Sequence, residues 1–504
     1  MVHPAEHRAN GSDLLPALAI AGAILLLHLF TNMRYGFHRD ELQFLSDAIH
    51  LDWGYVAYPP LTPFVERLSI ALFGFSLEGL RLFSVLAQAS IVVTAGLIAR
   101  TLGGNRFAIA IAALATALAP VALFEGTEFQ YTTFEQLGWV LVTYGVVRLL
   151  DSENERWWLW IAAFAGFGLM AKYTVVFFLA ALLAGFVLTP ARRHLASKWF
   201  VLGCAVTLLI VLPNLLWQAH HNFISLHFLE YIHARDLRIG RGSARDFWLF
   251  QAILSENAFA IPLTIVGLVA AWRSVRFRAV SIAFVLTILL FAGMKARGYY
   301  TAAVFPVIVA FGATEIARWA CSRRPVLRRS IFAVLFTGIM GFGVYFVCIL
   351  VPIASSGPLK AFALERSGDL REEQGWDTFV QTVAQVRDTL TPAQRAGFGI
   401  VTANYGEQGA VEILGRSYHL PAPISTTNSA WLRGYPTPPP GTLIVTGLDL
   451  EDANAVFTDC RLGAHVPYPA HLNNEESKYD PDIFVCGPPR LPWPEFWKKY
   501  QRFG

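Results

Sequence analysis

What most constrains this chain is a succession of long apolar runs, about eleven by the twenty-residue criterion for crossing hydrocarbon. They lie near residues 14–31, 80–99, 107–124, 132–150, 157–171, 173–189, 199–216, 247–271, 279–294, 299–317 and 331–352. The two near 157–189 are short and are parted only by Ala171-Lys172-Tyr173. Composition agrees: 55% of the residues are hydrophobic and only 15% charged, against roughly 25% charged in soluble domains. The expectation is a polytopic α-helical membrane protein, and a single large soluble core is excluded. The first run has no small-residue cleavage site, so it reads as a retained helix.

The net charge of +4 matters less than its placement. Arg100 and Arg106, Arg148 and Arg156, Arg192, Arg193 and Lys198, Arg273, Arg276 and Arg278, and Arg323, Arg324, Arg328 and Arg329 fall in one set of loops. With eleven spans this set shares the side of the N-terminus, which the positive-inside rule makes cytoplasmic. The other side receives the first outer loop 32–79, the turn at Glu125–Thr133, the loop 217–246, the turn at Lys295–Tyr300 and everything after about residue 353.

Residues 353–504 are of another kind. Trp376 to Leu390 has helical spacing, and Gly397–Thr402, Thr442–Thr446 and Asp482–Cys486 read as short buried strands bounded by Gly, Pro or Asp. The expected organisation is therefore a transmembrane catalytic domain over 1–352 and a soluble extracytoplasmic α/β domain over 353–504. Of five cysteines, only Cys460 and Cys486 share the oxidising side, which permits a disulfide between them.

The stretch from Thr31 to Phe64 carries the chemistry. His38-Arg39-Asp40-Glu41 sits where the first span should end. A carboxylate pair is costly in hydrocarbon, so Asp40 and Glu41 belong at the water boundary, in a polar cavity, or in the first turn of a surface helix. Tyr58-Pro59-Pro60 ends the loop and starts a new helix, because proline fixes φ and suits a first helical turn. Other polar groups expected outside are Glu125, Glu128, Glu135, Lys172, His220, His221, Lys295 and Arg297. Adjacent histidines can ligate a metal, but more often they sit at an interface. No glycine-rich nucleotide loop accompanies His38-Arg39-Asp40, so a kinase reading is set aside.

Together these motifs resemble the GT-C type of polyprenyl-phosphate-dependent glycosyltransferase. The nearest pattern is bacterial family 39, relatives of the protein O-mannosyltransferases and of the lipid A aminoarabinose transferase. The matching stretches are Arg39-Asp40-Glu41-Leu42, Tyr58-Pro59-Pro60-Leu61, Lys172-Tyr173-Thr174, Leu212-Pro213-Asn214, Lys295 to Tyr300 with Pro306, and Asn404-Tyr405-Gly406-Glu407. The resemblance implies a multi-pass protein of the bacterial inner membrane. It would move a sugar from a polyprenyl-phosphate carrier to a lipid, glycan or protein acceptor on the outer face, with inversion.

In that reading Asp40 is the base and Glu41 orients it or the acceptor. Lys172, Lys295 and Arg297, with Tyr299 and Tyr300, meet the lipid phosphate. Arg39, Tyr58, Glu125, Glu128 and His221 line the substrate, and Asn404, Tyr405 and Glu407 are contact points of the C-terminal domain. The resemblance permits a divalent metal beside either carboxylate. The chain departs from the aminoarabinose-transferase pattern at Ala57 and Tyr58, where a Glu-Lys pair is expected, which removes one metal ligand and one phosphate ligand. A transporter or flippase of lipid-linked sugars and a non-catalytic envelope scaffold remain as alternatives. Against the transporter, the spans lack paired Gly/Pro-broken helices in matching halves.

Overall fold

The computed structural model describes residues 11–469, 472–479 and 481–504. The chain is mostly helical, with several apolar helices and one small sheet, and it divides into two compact units. The first takes residues 11–31, Leu82–Leu215 and Asp236–Val351; the second takes Asn32–Arg81, Leu216–Arg235 and Pro352–Gly504.

The first unit is built of apolar helices. Among the described residues, four are long and apolar enough to cross a membrane, or up to seven if each of three bent pairs counts as one span. Leu15–Thr31, Trp157–Ala171 and Arg278–Gly293 are apolar but shorter. The run expected at 107–124 is two helices, Arg106–Ala117 and Pro120–Thr127, bent by 62°; Pro120 has no N–H to continue the ladder. The run at 247–271 bends by 86° near Asn257, whose side-chain amide donates to Leu118 O at 3.1 Å and Ile339 O at 3.0 Å. Helices Ile261–Arg273 and Phe305–Cys321 pack so closely that a Cβ on Gly267 or Gly312 would strike the other helix's backbone. Small residues allow such approach where lipid supplies no hydrophobic drive.

The second unit holds a five-stranded sheet of β1 (Phe398–Thr402), β2 (Ile424–Ser425), β3 (Thr442–Thr446), β4 (Arg461–His465) and β5 (Asp482–Cys486), in the order β2-β1-β3-β5-β4. Strands β2, β1 and β3 are parallel, whereas β5 is antiparallel to both β3 and β4. Leu443, Val445, Phe457, Phe484, Trp493 and Phe496 form the core on one face. Cys460 and Cys486 are joined in a disulfide. The strands expected at 397–402, 442–446 and 482–486 are all present, as is the helix Trp376–Thr389.

Two further helices of this unit position the first outer loop. Helix Tyr405–Ile413 is capped by Asn404, whose side chain accepts from the Glu407 amide at 2.8 Å. It packs on helix Arg39–Ile49. At the crossing Gly409 lies against the Leu42 backbone with no room for a Cβ. Gly409→Val should therefore destabilise the protein by about 1–3 kcal/mol through overpacking. Gly22→Ala, where a Cβ meets nothing, should leave the midpoint of thermal unfolding in detergent within a degree or two of wild type.

Candidate functional site

Helix Arg39–Ile49 begins with a capping box: the His38 ring accepts from the Asp40 amide at 3.2 Å, and the Glu41 carboxylate accepts from the His38 amide at 2.7 Å. Glu41 is fully buried and receives a two-pronged ion pair from Arg81, with Nε and Nη2 each at 2.8 Å. Arg81 also donates to Gly36 O at 2.8 Å, to Asn32 O, and to Glu373 at 3.1 Å. Burial, opposed by Arg81 and reinforced by Glu41, pushes the Glu373 carboxyl up to about 8. At neutral pH the one guanidinium is thus balanced mainly by Glu41.

This leaves Asp40 as the one residue in 38–48 that is not fully buried. The Tyr405 hydroxyl donates to its Oδ1 at 2.9 Å, and the Arg39 guanidinium lies 4.6 Å from the Tyr405 ring centre. Arg39 pairs with Glu475 and lies 3.8 Å from Glu476. Burial first, and the charge of Asp40, hold the Tyr405 phenol well above its usual range despite Arg39, so it stays a donor. The carboxylate sits in the first turn of helix Arg39–Ile49.

Two turns further along, Asp47 is buried between the Tyr58 hydroxyl and Arg433, whose Nη2 lies at 2.5 Å. Burial, outweighing Arg433 and Tyr58, raises Asp47 to about 6. Tyr58 is therefore tied to Asp47 rather than to Asp40. Pro60 is the N-cap of helix Leu61–Phe73, in which the polar residues Thr62, Glu66 and Ser69 are buried while Leu68, Leu72 and Phe73 are exposed. That inversion suits a helix whose outer face meets lipid or its interface. His221 stacks on Trp217 at 4.0 Å, with Nδ1 2.8 Å from Trp217 O.

In the apolar unit, Lys172 caps helix Trp157–Ala171 and lies 3.3 Å from Glu135. Its ammonium stands 3.8 Å from the Tyr300 ring centre, 4.9 Å from Tyr299 and 5.1 Å from Tyr131, a cage of three aromatic faces. Thr174 donates to Glu135, and Tyr173 donates to Asn214 at 3.2 Å, so the 172–174 and 212–214 motifs meet. Arg297 is held by Asp236 at 2.6 and 2.9 Å, whereas Lys295 is exposed. Glu125 accepts from Gln136 at 2.6 Å, and Glu128, the C-cap of helix Pro120–Thr127, is buried.

Sequence reasoning did not find Arg81, Glu373, Asp47, Arg433, Asp236 or Tyr131. An arginine at the start of an apolar run, as Arg81 is in the run at 80–99, was the available signal. Among the described residues no group of three or more His, Cys, Asp or Glu side chains could hold a metal ion.

Residues 57–217 match the model of the dolichyl-phosphate-mannose-protein mannosyltransferase family. The chain resembles the solved structure of ArnT from Cupriavidus metallidurans in the apo state, with a TM-score of 0.59 over 93% of this chain and 96% of that one at 13% identity. It also resembles the oligosaccharyltransferase of Archaeoglobus fulgidus, with a TM-score of 0.53 over 82% and 63% at 12% identity. The chain shares the fold of these two solved proteins. The resemblance drawn from the motifs holds at that level. In sequence the chain is 25% identical over 260 residues to the lipopolysaccharide core galacturonosyltransferase RgtB of Rhizobium johnstonii, covering 51% of each chain. It is 26% identical over 258 residues to RgtA of the same organism, covering 48% of this chain and 50% of that one. The chain spans about half the length of these curated relatives.

Because the Glu373 proton is held more tightly in the folded state, its contribution is complete below the ordinary glutamate range and is lost as pH rises towards and through about 8. The thermal midpoint of wild type should accordingly fall between pH 6 and 9. Glu373→Gln, which cannot ionise, should flatten that fall when unfolding is followed across the same pH series.

Proposed function

We propose that this chain is an integral-membrane glycosyltransferase that moves one sugar from a polyprenyl-phosphate carrier to an acceptor outside the cytoplasm, with inversion. The observation that carries the reading is Asp40: a helix-start carboxylate, accessible where its neighbours are buried, and hydrogen-bonded by Tyr405. The acceptor hydroxyl oxygen attacks the anomeric carbon and passes its proton to Asp40. The anomeric carbon–oxygen bond breaks, and the leaving phosphate keeps the bonding pair. Tyr405 orients the carboxylate, and Glu41 fixes the helix that presents it.

For the donor, Lys172 in its tyrosine cage is the phosphate ligand of this reading, held in place by Glu135. ArnT has been solved with undecaprenyl phosphate, which supports a carrier of that class. The galacturonosyltransferase relatives favour a lipopolysaccharide-type glycan as the first acceptor to test. In this reading the chain has eleven spans, a cytoplasmic N-terminus and a C-terminal α/β region outside, in a bacterial inner membrane.

Radiolabelled polyprenyl-phosphate sugars incubated with purified protein and envelope acceptors test this directly. One donor should be consumed by wild type, while Asp40→Asn should retain donor binding and lose turnover by about 10²–10⁴-fold. Carrier movement without consumption by either protein would replace the enzyme with a transporter. Lys172→Met should raise the KM for the donor on the order of tenfold or more, the scale of one charged hydrogen bond, with the acceptor KM unchanged.

A further inference from the structure

One apolar groove in the first unit takes no part in this chemistry. It has a volume of about 360 Å³ and is lined by Trp158, Ala165, Leu182, Phe186, Phe200 and Leu208, among others. Its polar lining is confined to Cys204 and Thr207, and the Thr207 hydroxyl is spent on Ala162 O at 3.0 Å. A polar ligand would find nothing to bind, whereas a hydrocarbon chain would. The groove follows the first half of helices Trp157–Ala171 and Lys198–His220 and the later part of Val175–Val187.

One end of the groove is built, and it is basic. The turn Pro190–Ala196 folds back by 110° from helix Val175–Val187. The Trp158 indole N–H fixes it by donating to His194 O at 3.1 Å, and His194 Nδ1 lies 2.5 Å from Glu155. The neighbouring acids are all engaged: Glu155 with His194, Glu153 with Arg193 at 2.5 Å, and Asp151 with Arg276 at 3.0 Å. Arg156, Arg192 and Lys198 are exposed and have no carboxylate within ion-pair distance among the described residues. Arg156 and Lys198 flank the Trp199 ring at 5.7 and 5.6 Å from its centre. Phe200, the next residue, lies against Trp158 in the groove wall. A dry slot thus opens beside three uncommitted cations and an indole of the kind that sits at headgroup depth.

We propose that this groove is a binding site for an anionic diacyl phospholipid, one acyl chain in the slot and the phosphate held by Arg156, Arg192 and Lys198. Basic pockets between membrane helices recognise anionic headgroups through charge, and arginine adds two-pronged contacts to phosphate oxygens. The proposal does not depend on the transferase reading. By the distribution of basic loops the site faces the cytoplasmic leaflet, where such lipids are plentiful.

Native mass spectrometry and thermal unfolding of the detergent-purified full chain decide it, with phosphatidylglycerol, phosphatidylethanolamine of the same acyl chains, and undecaprenyl phosphate as probes. Phosphatidylglycerol should bind at least tenfold more tightly than phosphatidylethanolamine and raise the unfolding midpoint. Combined Arg156→Gln, Arg192→Gln and Lys198→Gln should erase that preference, and Leu208→Trp, a groove-facing exposed position, should weaken chain insertion with the cations intact. Equal binding of both phospholipids would overturn the proposal. So would a triple variant that loses only undecaprenyl phosphate, which would make the slot a carrier site.

Discussion

The bidentate pairing of Glu41 with Arg81 is the constraint on which the candidate chemistry rests. Two adjacent carboxylates begin helix Arg39–Ile49, and burial of both as free charges would be prohibitive. The structure separates their duties. Glu41 turns inward, closes the capping box and pairs with Arg81, while Asp40 is only partly buried and accepts from the Tyr405 phenol. Losing one partner of a buried ion pair costs several kcal/mol, because the other is left uncompensated. The division therefore holds the helix start rigidly enough to aim the second carboxylate.

The apolar unit follows the same logic under harsher conditions. Ionisable groups in membrane-type helices are expensive unless paired or functional, and here three buried acids have partners. Glu135 meets Lys172, Glu125 meets Gln136, and Glu256 accepts from Thr264. Lys172 differs in also facing three tyrosine rings, whose π faces attract a cation. Arg297 is partly quenched by Asp236, yet Arg241 stands 3.9 Å from the same carboxylate, so those three side chains keep one positive charge among them.

Much of this was legible in the sequence, for identifiable reasons. Runs of apolar residues follow directly from the bilayer's thickness, and every expected run corresponds to helix, although two are broken where Pro120 and Asn257 interrupt the ladder. The central strands β1, β3 and β5 announce themselves because they are buried along nearly their whole length. Strand β4 reads Arg-Leu-Gly-Ala-His and is largely exposed at the sheet edge, and β2 has only two residues, so neither carries a periodic signal. Asp40 was singled out by its place after the first apolar run together with the motif resemblance. Its partner Tyr405 is 365 residues away, and no local pattern encodes such a contact. Arg81 was hidden because an arginine near a span end reads as a snorkelling side chain.

The assignment of separate duties to Asp40 and Glu41 is the central claim, and one paired measurement tests it. Asp40→Asn and Glu41→Gln would be compared with wild type for thermal unfolding in detergent and for sugar transfer in the same preparation. The account predicts that Asp40→Asn unfolds at the wild-type temperature and does not turn over, whereas Glu41→Gln unfolds at a clearly lower temperature. An Asp40→Asn protein that transfers sugar normally, or a Glu41→Gln protein as stable as wild type, would contradict it.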